Sequence, residues 1–162
     1  MNSGYAALAG RIGQSLDDLE RVVTRARNLM DKARTSGDLD YLDGVALNLH
    51  GFYAGVERIM QDIARTMEKT LPEGAEWHQD LLLQMSAEIP SLRPAVFSQE
   101  TRQCLEEYRG FRHVVRNVYT FNLRPARLDE LASGLHDCYQ AVRRDLEKFI
   151  RVLAQLSAEN PG

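Results

Sequence analysis

The side chains best equipped for chemistry fall in one window of this chain. Between Tyr108 and Leu128 stand Arg109, Arg112, His113, Arg116, Arg124 and Arg127, with no Asp or Glu among them. The whole chain has a net charge of −3, so removing those five arginine charges leaves −8 elsewhere. No global basic field recruits nucleic acid, and any such contact must come from a local patch. On charge alone, chance clustering or pairing with acids of a neighbouring helix explains the arginines about as well as function does. Helical geometry shifts that balance. At ~100° per residue, Arg109, Arg112, His113, Arg116, Asn117 and Tyr119 share one face, and Phe111, Val114, Val115 and Val118 form an apolar stripe opposite. Guanidiniums spaced by one helical turn repel each other unless they face water or an anion. Their planar donor forks suit phosphate oxygens. An imidazole, an amide and a phenol on the same face add proton transfer and base recognition.

A second group lies upstream. His50, Tyr53 and Glu57 share one side of a helix and, taken alone, read as an ordinary edge of a core. Placed beside the arginine face, Glu57 can orient an arginine or an imidazole, with Tyr53 in support. Gly44, Asn48, Gly51 and Gly55 form a smooth strip on the same helix, as close approach of another helix requires, within the chain or across a dimer. Trp77 reads as core, His78 as a polar residue at a helix start, and His136 with Asp137 as a surface pair. No His or carboxylate spacing makes a metal site, and no glycine-rich phosphate loop or Ser/His/Asp arrangement is selected. No metal and no cofactor are expected.

Long amphipathic helices must position these groups. Apolar residues recur at steps of three and four from Tyr5 to Thr35, and Gly37 and Asp38 then read as a stop and a cap. A second helix runs from Leu39 through Met67 and ends before Leu71. A short third carries Trp77, Leu81, Met85 and Ile89. Ser98 caps a fourth that reaches about Tyr119, and Pro125 opens a fifth whose stripe extends from Leu128 to Leu156. The expected class is all-α: an antiparallel bundle of four long helices plus one short helix. With 162 residues, 44% of them hydrophobic, the chain can bury a core without disulfides or metal. Residues 1–157 are expected to form a single domain and 158–162 a flexible tail. Cys104 and Cys138 read as reduced thiols of a cytoplasmic protein. Neither a secretory leader nor a membrane span is expected.

The stretch from Tyr108 to Leu123, Tyr-Arg-Gly-Phe-Arg-His-Val-Val-Arg-Asn-Val-Tyr-Thr-Phe-Asn-Leu, resembles the signature helix of HEPN-domain proteins, closest to the HepT-like toxin ribonucleases. In that signature an Arg is followed by four residues, a His, one residue and a Tyr. Arg112 matches the Arg, Tyr119 matches the Tyr, and Asn117 stands where the family has His. The stretch His50 to Ile59 also resembles the family's second helix. The resemblance implies a HEPN-like bundle acting as a metal-independent endoribonuclease, in which a ribose 2′-hydroxyl attacks the adjacent phosphate. It implies a homodimer with a composite site, and a partner: an MntA-like nucleotidyltransferase antitoxin that transfers AMP to Tyr119. Because an amide does not titrate, Asn117 positions groups, and His113 one turn earlier is the candidate for proton chemistry. Arg112, His113 and Asn117 are thus the expected catalytic set, with Arg109, Arg116 and Arg124 binding RNA phosphates. The rival expectations are a catalytically inactive HEPN subunit that binds nucleotide or RNA and assists a transferase, and a structural helical adaptor whose arginines pair with acids.

Overall fold

The computed structural model describes residues 3–117, 119 and 122–159. Five α-helices follow in order: α1 Ser3–Ser36, α2 Tyr41–Ile63, α3 Trp77–Met85, α4 Gln99–Asn117 and α5 Pro125–Glu159. No strand occurs among the described residues, only an isolated bridge between Ile89 and Arg93. The long helices form a four-membered ring in cross-section: α1 packs on α2 and α5, and so does α4 from the other side. The core is the predicted set of stripes. Leu8, Ile12, Leu16 and Leu19 of α1 meet Leu49, Phe52 and Val56 of α2 and Leu135, Val142 and Leu146 of α5 in one buried cluster. Among the described residues, no helix is long and apolar enough to cross a membrane.

The helix ends follow from local chemistry. Gly37 takes the left-handed conformation at φ +71°, and its N–H donates to Ala33 O to close α1. Asp38 stands further out than a cap: its side chain accepts from the Asp40 N–H, and α2 begins at Tyr41. Ser98 does cap α4, accepting from the Thr101 N–H at 3.2 Å, while its own N–H donates to Asp145 of α5. Pro125 opens α5 as expected.

Three boundaries differ from the periodicity. The second apolar stripe continues through Met67, but α2 gives way to a π-helical turn, Ala64–Glu68, closed by Lys69 at φ +56°. That turn carries Glu68 inward, where it meets Arg93. The helix α3 stops at Met85, so Ile89 falls in the following loop, because Pro90 disfavours helical geometry at the residue before it. The helix α4 ends at Asn117, leaving Tyr119 beyond it. Of the expected tail, Ala158 and Glu159 extend α5, and 160–162 lie outside the described residues.

The glycine strip is occupied from within the chain. A Cβ on Gly44 would stand 2.7 Å from Leu29, and one on Gly55 2.7 Å from Leu19, both leucines of α1. The cysteines are a correction. Cys104 and Cys138 are joined as a disulfide, not reduced thiols, because α4 and α5 pack with these Cα atoms 5.8 Å apart. Nearby, Tyr108 donates its hydroxyl to Leu131 O at 2.8 Å and sets its ring edge-on to Phe52. The base of α4 is thereby tied to α2 and α5 together.

Candidate functional site

The face of α4 turned away from that staple borders α2 and the start of α3. A cleft of about 180 Å³ opens there, lined by Arg109, Arg112, His113 and Arg116 of α4 and by Glu76, His78 and Gln79 at the start of α3. Its volume is below the ~300 Å³ at which ligand pockets typically begin. It suits a phosphate or a ribose, with the rest of a larger ligand lying outside.

Beneath the side chains that line this cleft lies a carboxylate. Glu57 projects from the core side of α2 and is buried. Arg112 Nη1 donates to Glu57 Oε1 at 2.6 Å. His78 Nδ1 lies 2.6 Å from Glu57 Oε2 and 2.7 Å from Arg112 Nη1. The single hydrogen Nδ1 can carry is assigned to the carboxylate side, because a lone pair there would press against the charged Oε2; Arg112 Nη1 then approaches Nδ1 as a second donor to the same carboxylate rather than as its hydrogen-bond partner. Two donors thus converge on one carboxylate, one per oxygen. The indole of Trp77 stacks on the His78 ring, with centroids 3.6 Å apart, and fixes its plane. Buried Arg112 Nε and the fully buried Tyr53 hydroxyl have no hydrogen-bond partner among the described residues. Burial pushes the Tyr53 phenol well above its ordinary range, and the Glu57 charge adds to that.

The arginines differ in how their charge is spent. Arg109 donates through Nε to Glu106, one turn back, at 2.8 Å. Arg112 is held by Glu57. Arg116 has no carboxylate partner among the described residues, and Glu76 lines the same cleft. His50 of α2 registers these charges: burial first, then Arg112 and Arg116, lower its pKa from the ordinary 6.5, against a smaller opposing pull from Glu57.

Residues 44–153 match the family described as HepT-like protein. The chain belongs to that family. The matched span contains Glu57, His78 and the whole arginine face, and it places this HepT-like chain in the HEPN superfamily. No curated protein and no solved structure gives a significant match.

Of the site residues expected from sequence, Arg109, Arg112, His113 and Arg116 do come together, and Glu57 and Tyr53 lie beneath them. Arg124 does not join them. It lines a separate cavity of about 560 Å³ between α4 and α5, with Phe111, Val114 and Leu128. It is carried there because it follows the end of α4 and precedes Pro125. Val114 is exposed, not part of the core stripe, because α5 does not cover that corner of α4; Phe111 is buried and Val115 partly so. Val118 and the side chain of Asn117 lie outside the described residues. Tyr119 is 73% exposed, past the helix end, with its carbonyl accepting from the Asn122 N–H. The residue that sequence reasoning passed over is His78. It was read as a helix-start polar group, and only its adjacency to Trp77 marked it.

Proposed function

We propose that this HepT-like protein is the toxin of a toxin–antitoxin pair, a metal-independent endoribonuclease that acts as a homodimer. In this reading Arg112, His113 and Asn117 form the catalytic set, and Arg109 and Arg116 hold RNA phosphates. The observation that carries it is the small cleft in which three arginines and two imidazoles meet over a buried carboxylate. A guanidinium fixed on such a carboxylate is preorganised to stabilise charge developing on a phosphoryl oxygen, with little reorganisation at the moment of reaction. An MntA-like nucleotidyltransferase is the proposed antitoxin, adding AMP to Tyr119. The exposed phenol is open to such a partner, and a bulky anion there would cancel the positive charge that RNA needs.

The test is expression of the chain alone and with Arg116→Ala. Growth arrest with RNA cleavage by the unaltered chain, weakened by the substitution in a salt-dependent way, is the expected result. Arg116 is the variant of choice because it is exposed and has no carboxylate partner among the described residues, so its loss should not unfold the protein. Incubation with the partner transferase and ATP should add one AMP mass at Tyr119, and Tyr119→Phe should abolish it. An unaltered chain that cleaves no RNA would sink the ribonuclease reading. The non-catalytic subunit is the second reading, and one observation favours it: Arg109 and Arg112 already spend their charge on carboxylates of their own chain.

A further inference from the structure

The family signature lacks its histidine here, yet the cleft holds an imidazole that the signature does not contain. His78 arrives from α3, is half-buried, and is fixed on two sides, by the Glu57 carboxylate at Nδ1 and by the Trp77 ring across its face. With Nδ1–H committed to Glu57, the other nitrogen, Nε2, carries a lone pair. This is the arrangement by which a buried carboxylate fixes the tautomer of an imidazole and stabilises the cation formed when it takes a proton. His113 is exposed, and His50 is held toward its neutral form by burial first and then by Arg112 and Arg116.

We propose that Glu57 and His78 form a carboxylate–imidazole pair whose Nε2 accepts the proton of the attacking 2′-hydroxyl. The proposal rests on the ribonuclease reading and assigns the proton chemistry left vacant by Asn117. His78 Nε2 takes the hydroxyl proton as the O2′ electron pair forms a bond to phosphorus. The bond from phosphorus to O5′ breaks, and O5′ takes its proton from protonated His113 at the cleft rim. The products are a 2′,3′-cyclic phosphate and a 5′-hydroxyl end, and the two imidazoles exchange protons with water to reset. Arg112, sharing the same carboxylate, stays beside the phosphoryl oxygens. One carboxylate therefore positions both the base and the charge stabiliser, and Glu57 is a positioning residue for each.

The test has two arms. In the first, the full-length protein and His78→Ala are compared for cleavage of a single-stranded RNA, with and without added imidazole. The expected result is a rate lower by about 10²–10⁴-fold, the usual contribution of a positioned acid or base. RNA affinity should be retained, the new ends should be cyclic phosphates, and imidazole should restore part of the rate. Unchanged cleavage by His78→Ala overturns the pair but leaves the ribonuclease reading standing. Absence of cleavage by the unaltered chain overturns that reading, and this proposal with it. The second arm needs no activity. Nitrogen-15 spectra of the histidine-labelled protein should show His78 protonated at Nδ1 and bare at Nε2, and Glu57→Gln should change that tautomer. A His78 protonated at Nε2 alone overturns the pair.

Discussion

Two buried arginine–glutamate pairs hold this molecule together, and they are built for different ends. Arg93 and Glu68 have side chains 0% and 3% exposed, whereas Arg112 and Glu57 are 17% and 5% exposed. Arg93 is also bonded at both terminal nitrogens: its Nη1 donates to Ala87 O and Pro94 O, and its Nη2 to Glu68 and Gln84 O, leaving only its buried Nε without a partner among the described residues. Gln84 completes the knot by donating to the same Glu68 oxygen. Those bonds fasten the loop after α3 to the π-helical turn. Among the described residues Arg112 makes no such carbonyl contacts. It shares its carboxylate with an imidazole and borders a cleft. The same charge pair is a clamp where backbone carbonyls surround it and a candidate reaction centre where an opening does.

The largest effect that would break this comparison is on stability. Removing one partner of a buried pair typically costs about 3–5 kcal/mol, because the other charge is left without compensation. Arg93→Ala is expected to fall in that range by urea denaturation, since Glu68 and several carbonyls lose their donors. Arg112→Ala should cost less, because water can enter the cleft and His78 still donates to Glu57, yet it should remove RNA cleavage. Equal losses of stability for the two variants would mean that Arg112 is a second clamp and the cleft is incidental.

The disulfide gives a smaller and separable effect. Cys104 and Cys138 lie 34 residues apart, and closing a loop of that length stabilises a fold by roughly 2–4 kcal/mol. The Cys104→Ser/Cys138→Ser double variant should therefore melt at lower temperature. It should keep its cleft chemistry, because the bond fastens α4 to α5 while Arg112 faces α2 and α3. A double variant that loses cleavage at a temperature where it remains folded would show that the staple sets the position of Arg112.

These contrasts also mark how far the sequence could be read. Periodicity within one helix places residues on a face, which is why Arg109, Arg112, His113 and Arg116 were found together and why Glu57 was matched to an arginine. It does not place one element against another. His78 sits 21 residues from Glu57 and 34 from Arg112, across a π-helical turn and a loop that carry no apolar period. Arg93 reaches Glu68 across the same kind of irregular chain. The thiols met because two helices cross, which their spacing of 34 does not encode. Arg124 was grouped with the cleft by charge, but the break before Pro125 turns it to the other side of α4.

The smallest effect separates the two pairs without touching either. His50 has its pKa lowered by burial and by the nearby cations Arg112 and Arg116, so the folded state prefers it neutral. The unfolded chain then binds the extra proton first, and stability rises with pH through the region just below 6.5 and falls as pH drops through it. Arg116→Ala removes one of the two cations, so the His50 midpoint should move up toward its ordinary value, and the low-pH loss of stability should shrink. Disturbing the clamp instead, by Arg93→Lys, should leave that midpoint where it is. Histidine proton shifts followed between about pH 5 and pH 8 read both outcomes. A His50 midpoint indifferent to Arg116 would mean that burial and Arg112 set it and that the charge of Arg116 does not reach α2.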